Sequence, residues 1–381
     1  MVLAGAAVGW PVASPVRASA LTFCDPAEGP PTNARFEAIG AVALNSGGFE
    51  LQVADLPGRT TASEFIRAYF SFDTRNTSLG PAWQHNFDVR LRLAGGGDGD
   101  MLFTLPDGAV ERFQKAWGNT PVSGRNRGYR ILDQSIDGTW TVSDDAITWH
   151  FTSEGDLSSV DAPNGYAEVW YRDGDAAQIV DATGPTIALE YAADARLERV
   201  ATLRGDARLA EYAYDAIGRL STVVRSDGGT EAYTYDGDSR RIATISIDDT
   251  TVLALSYDEN GRVVSEQDAD GLRDGQAVEY EYEDLEDGWI RTTVRYAESL
   301  LESGWRPIEQ SLHDADGRLR EMTFQPTSDE PLLGRYDYDA ENRRLLVQDP
   351  CPPPDVEVST RRPFVGLVSF VIWIVALLLG F

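Results

Sequence analysis

From Tyr191 to about Tyr338, apolar and polar positions alternate with a period of two, as in Glu211-Tyr212-Ala213-Tyr214 and Glu279-Tyr280-Glu281-Tyr282. Such alternation predicts half-buried strands, with one face on a core and the other in water. The alternating runs end on a recurring phrase, Tyr-Asp-x-x-Gly-Arg-apolar. Its clearest copies are Tyr214-Asp215-Ala216-Ile217-Gly218-Arg219-Leu220 and Tyr257-Asp258-Glu259-Asn260-Gly261-Arg262-Val263. Asp-x-x-Gly supplies a tight turn, because the Asp side chain can accept from nearby backbone amides and Gly tolerates positive φ. Arg219 to Val224 then resumes as a second strand rich in β-branched residues. Each unit reads as one β-hairpin, too small to bury its own face, so neighbouring hairpins must pair edge to edge. The pattern predicts an all-β chain built around a long antiparallel β-strip.

Looser copies extend the series. Tyr191 to Leu197 keeps the ends of the phrase, and Tyr235-Asp236-Gly237-Asp238-Ser239-Arg240 loses the glycine at its usual place. His313-Asp314-Ala315-Asp316-Gly317-Arg318-Leu319 replaces the tyrosine, and Tyr338-Asp339-Ala340-Glu341-Asn342-Arg343 puts asparagine where glycine stood. Anchors at 151, 171, 191, 214, 235, 257, 282, 313 and 338 step by roughly 20–25 residues with one longer gap, the spacing of stacked repeats. The positions expected to carry the repeat structure are Tyr214, Asp215, Gly218, Arg219, Tyr257, Asp258, Gly261, Arg262, Asp314, Gly317, Arg318, Tyr338 and Asp339. Each arginine is expected to reach a neighbouring turn carboxylate such as Asp215 or Asp258, in a ladder of ion pairs of little individual weight. Stacked tyrosines such as Tyr212, Tyr233 and Tyr280 are the stronger stabilisers.

Ahead of the repeats the same alternation runs through Phe65 to Asp73, a Gly80-Pro81 turn, Trp83 to Phe87 and Val89 to Leu93. Trp83 and His85 are expected to face the sheet. A hairpin follows at Met101 to Phe113 around Pro106-Asp107-Gly108, and strands Trp140 to Val142 and Ile147 to Phe151 lead into the repeats. Nothing between the chain's ends suggests a long amphipathic helix. The expected organisation is a signal segment over 1–20, initial strands over 21–64, a β domain over 65–150, repeats over 151–347, a Pro-rich linker over 348–363 and a membrane helix over 364–381.

Composition changes the picture in two ways. At 381 residues and a formal charge of -28 the chain argues against nucleic-acid binding, which needs clustered Lys and Arg. Acidic residues in turns and on outward strand positions keep an extensive sheet soluble and discourage edge pairing. The ends, by contrast, are apolar. Ala18-Ser19-Ala20 resembles a signal-peptidase site, although no basic stretch precedes it; a start further upstream and an ordinary buried segment are the alternatives. Phe364 to Phe381 carries no charge and is near the lower limit for spanning a bilayer, which makes the membrane an expected partner. Arg361 and Arg362 would favour the cytoplasmic side, in tension with export of everything before them. Cys24 and Cys351 are read as two unpaired thiols, a disulfide between them being the alternative.

Candidate chemistry is sparse. His85, His150 and His313 are read as packing residues, and no Gly-x-Ser-x-Gly, His-Glu-x-x-His or Cys-x-x-Cys is present. Glu266-x-Asp268-x-Asp270-Gly271 opens like a calcium loop but has Ala277 at the place of its bidentate glutamate. Gly95 to Asp100 reads as a flexible turn. Neither a metal nor a cofactor is expected.

The repeats resemble those of the RHS/YD-repeat family. Residues 65–113 resemble the domain of unknown function that opens bacterial RHS proteins, through Leu79, Gly80, Trp83, Asn86, Phe87 and Pro106-Asp107-Gly108, with Ala82 where glycine is usual. The resemblance implies a β-strip that spirals into a shell, which in polymorphic toxins encloses a C-terminal toxin. It departs from the family in length and at Asp349-Pro350-Cys351-Pro352, where the core cleavage phrase is not matched. The expected function is a non-enzymatic RHS scaffold in a bacterial cell envelope, exported or membrane-anchored, with a toxin cargo or protein or polysaccharide ligands as partners. The alternative is a carbohydrate- or protein-binding adhesion module using exposed aromatics.

Overall fold

The computed structural model describes residues 41–348 apart from 57–59, 95–98, 107–109, 115–121, 124–129, 145, 173, 183, 204–207, 270, 272–274, 297–303, 326–330 and 339–343. The signal and membrane segments, the C-terminal helix, both cysteines, Asp107, Gly108 and Asp339 lie outside the described residues. No helix among the described residues is long and apolar enough to cross a membrane.

An opening sheet comes first. Ala41–Val42, Phe49–Leu56, Phe65–Phe70 and Trp83–His85 pair in that order, joined by a 3-10 turn at Thr61–Ser63. From Arg90–Leu93 onward every strand pairs antiparallel with the next, through to Arg344–Gln348, as one continuous ribbon. The ribbon's first strand turns back to bridge Asp156, with the Leu91 amide donating to Gly155 O at 2.9 Å. The first strands therefore close on themselves and the remainder runs on as an open sheet.

Strict alternation fails beside the anchor residue in several repeats, for a local reason. Tyr214 faces Leu220 while Ala213 faces Thr222, so Ser221 is an extra residue in the return strand. The same shift recurs before Tyr191, Tyr235, Tyr257 and His313. Such a β-bulge turns two positions three apart to one side. Leu220 and Val223, Ile242 and Ile245, and Leu197 and Val200 are accordingly all buried in a core that also takes in Phe49, Phe65, Tyr69 and Trp83 of the opening sheet.

Candidate functional site

Within each repeat the phrase builds a link to the next. Asp215 Oδ1 accepts from the amides of Ile217 and Arg219, closing the turn, and Oδ2 accepts from Arg219 Nε at 2.6 Å. Asp258 with Arg262 and Asp314 with Arg318 repeat this at 2.8 Å. These bonds hold the three carboxyls below their usual range in spite of the desolvation that opposes them. The arginine thus takes the carboxylate of its own turn, Asp215 or Asp258 as expected. What crosses to the next repeat is the rest of the guanidinium. Arg219 donates to Gly237 O and Ser239 O and lies 4.5 Å from the ring of Tyr235. Arg262 reaches Asp284 at 3.1 Å and the Tyr282 ring at 4.9 Å, and Arg318 lies over Tyr338 at 5.3 Å.

The glycines serve both turn and link. Gly218, Gly261 and Gly317 have φ of 83°, 81° and 75°, and a Cβ on Gly218 or Gly261 would collide with Arg196 or Arg241 arriving from the repeat before. Tyrosine hydroxyls complete the link. Tyr214, Tyr257 and Tyr338 donate to the carbonyls of Leu197, Ile242 and Leu319, each heading the preceding return strand, at 2.6, 2.7 and 3.0 Å.

The opening sheet runs along this line of turns. The amides of Leu197, Ile242 and Val263, equivalent positions in three repeats, donate to Ser78 O, Tyr69 Oη and Gly47 O at 2.9, 3.0 and 2.9 Å. Thr292 Oγ1 donates to Leu44 O at 2.6 Å, and Asn45 Nδ2 to Gly317 O at 3.4 Å. Gly80 sits so close to the turn at Gly218 that a Cβ there would be 2.8 Å from its carbonyl oxygen. Residues 44–91 therefore meet repeat turns from 155 to 317.

At the centre of this contact lies a buried charge node that pattern reading did not single out. Arg67 is completely buried on Phe65–Phe70, between the rings of Trp83 and Tyr233 at 5.3 and 5.4 Å. Its Nε donates to Asp55 at 2.7 Å, Nη1 to Tyr233 Oη at 2.5 Å, and Nη2 to Glu231. Arg225 also pairs with Glu231, and Tyr212 donates to Asp55 at 2.8 Å. Burial pushes the Asp55 carboxyl up; burial also acts on Glu231, but Arg67 and Arg225 hold it down to about 2. Two arginines and two carboxylates balance, and every charged head has a partner, so the node can clamp opening sheet to ribbon. The available signal was Arg67 itself, an inward position between Phe65 and Tyr69.

Other candidates resolve differently. Tyr212 and Tyr233 are buried in this core and Tyr280 packs against it, so none forms an exposed aromatic face. Trp83 and His85 are buried as expected; burial lowers the pKa of His85, which lies 3.1 Å from Asp88. His313 is also buried, whereas half-exposed His150 pairs with Asp161 at 2.8 Å on the outer face, a correction to its packing role. Asp268 accepts from the Gly271 amide and Glu266 from Tyr280, and no group of three metal-binding side chains is found among the described residues.

A family model described as Teneurin YD-shell matches residues 177–350, and the domain of unknown function DUF6531 matches residues 41–113. The chain is an RHS/YD-repeat protein. Among solved structures, this RHS/YD-repeat protein is similar to a chain of the TcdB2-TccC3-TEV crystal structure, at 12% identity over 82% of this chain and 16% of that one, TM-score 0.35. The TcdB2-TccC3 crystal structure without the hypervariable C-terminal region gives 13% identity, 79% and 16% coverage, and TM-score 0.35. A chain of the Photorhabdus luminescens Tc holotoxin pore gives 12%, 81%, 22% and 0.20. The RHS/YD-repeat protein thus spans less than a quarter of the length of those chains. No curated protein matches it.

Proposed function

We propose that this RHS/YD-repeat protein is a non-catalytic wall of a YD shell whose core-side face lines a space for a polypeptide cargo. The observation that carries this reading is the opening sheet docked along successive repeat turns, with the Arg67 node at its centre. Its buried charges are paired for holding rather than for proton transfer. In this reading residues 1–20 export the chain and residues 364–381 anchor it in a bacterial envelope.

The scaffold is tested by inserting a disordered reporter peptide into the Pro-rich linker at 348–363, ahead of the proposed anchor, and timing its digestion. The reporter should outlast the same peptide fused to an unrelated soluble protein; equal lifetimes overturn the shell. Export is tested by adding protease to intact cells. Cleavage within the repeats from outside supports it, and protection lost only on lysis overturns it.

A second reading, an adhesion module, draws on a different face. Tyr166 and Trp170 are exposed on strand Gly165–Arg172 and both donate to Glu168, at 2.9 and 3.0 Å, which fixes two aromatic rings on the surface. Retention on a glycan array that is lost in Trp170→Ala would favour it; no retention would remove it.

A further inference from the structure

The Arg67 node has a counterpart further along the ribbon. At the node, Tyr233 donates to Glu231 at 2.5 Å and the opening sheet supplies the guanidinium. Beyond it, Tyr280 donates to Glu266 at 2.7 Å and Tyr296 donates to Glu309 at 2.6 Å. Register brings these groups together: Tyr280 faces Val294, Val294 faces Glu309 and Glu309 faces Phe324 on adjacent strands. The rings of Tyr296 and Phe324 meet edge-on at 6.4 Å.

Glu309 differs from Glu231 in one respect. It is only 8% exposed, yet among the described residues it accepts from Tyr296 and no Lys or Arg pairs with it. A buried carboxylate with one neutral donor is costly unless it is protonated or meets a cation. Burial raises its pKa, against the bond from Tyr296. Two residues along the same face, Ser311 is 2% exposed and its Oγ has no partner. A hydroxyl and a carboxylate held without complements on one strand face point to a group that donates several hydrogen bonds. Aromatic rings beside a carboxylate recognise a planar cation through cation–π and charge-assisted bonds.

We propose that Glu309 and Tyr296, beside Phe324 and Tyr280, form a receptor for an arginine side chain of a second polypeptide, filling the role that Arg67 plays at the first node. The inference rests on the shell reading, since the guest is a chain lying on the ribbon's core side.

The test measures binding of a fluorescent Gly-Gly-Arg-Gly-Gly amide to the full chain, against the same peptide with citrulline, which keeps the shape and loses the charge. The arginine peptide should bind about tenfold tighter, and Glu309→Gln should erase that preference while Glu283→Gln on the exposed face keeps it. Tyr296→Phe, a milder change, should reduce the preference several-fold in a protein whose unfolding temperature confirms folding. Equal binding of the two peptides, or a preference that survives Glu309→Gln, overturns the receptor. A protected reporter without arginine preference defeats this inference alone; arginine preference without reporter protection defeats the shell reading alone.

Discussion

Tyr235 donates its hydroxyl hydrogen to Leu220 O at 2.6 Å and accepts one from Trp83 Nε1 at 3.0 Å. One phenol therefore joins two successive repeats and the opening sheet. Tyr257, at the equivalent position one repeat on, donates to Ile242 O at 2.7 Å.

That difference predicts unequal costs for the same deletion. Tyr235→Phe strands both a buried indole N–H and a carbonyl, and should cost about 1–3 kcal/mol. Tyr257→Phe should cost less, about 0.5–1.5 kcal/mol. Chemical denaturation of the two variants side by side checks the order, and equal losses would mean that the Trp83 bond contributes nothing.

The turn glycines predict a second contrast. Gly228 and Gly218 have nearly the same φ, 85° and 83°, but a Cβ on Gly228 meets nothing within 4 Å whereas one on Gly218 collides with Arg196. Gly228→Ala should cost only the left-handed backbone term, roughly 1–2 kcal/mol. Gly218→Ala must also displace the Arg196 guanidinium from its place 5.2 Å from the Tyr214 ring, and should lose more in thermal unfolding.

The hairpins, the turn chemistry and the run of repeats were legible in the sequence because each depends on residues close in the chain. Asp215 and Arg219 are four apart, and turn geometry alone brings them together. The bulge at Ser221 was not legible: Leu220 and Val223 look like a broken alternation until the partner strand is known. The docking of the opening sheet was hidden for a related reason. Arg67 meets Glu231 across 164 positions, and neither residue type in an alternating strand announces an inward charge. Tyr212 and Tyr233 look like surface aromatics beside acidic residues, yet it is the acidic Asp55 and Glu231 that follow them into the core.

Removing the central cation should be severe. Arg67→Met leaves Asp55 and Glu231 buried with only Arg225 between them, a change expected to cost about 3–5 kcal/mol. Limited proteolysis should then cut within residues 44–91, which wild-type protein shields by docking. The acid limb carries the same information. Glu231, held at about 2 against an ordinary 4.5, contributes stability that is full above 4.5 and lost as pH falls through about 2, at most roughly 3 kcal/mol. Asp55, pushed up by burial, works the opposite way, so the comparison that isolates Glu231 is the pH profile of Glu231→Gln against wild type.

His313 gives the sharpest pH prediction. It occupies the tyrosine slot of its repeat, opposite Ile290, and burial pushes its imidazole down to about 4, with nearby Asp314 acting against that shift. In the unfolded chain the ring takes a proton near 6.5, whereas in the fold it resists protonation until about 4. The unfolded state therefore binds more protons in between, and stability should fall as pH drops from 6.5 to 4, by up to roughly 3 kcal/mol. His313→Tyr removes the titrating group and restores a hydroxyl of the kind that Tyr214 and Tyr257 use to reach the preceding repeat. Urea unfolding of both proteins at pH 7, 5.5 and 4 should show a steeper loss for wild type. Parallel profiles would place the imidazole in contact with solvent and remove His313 from the acid response.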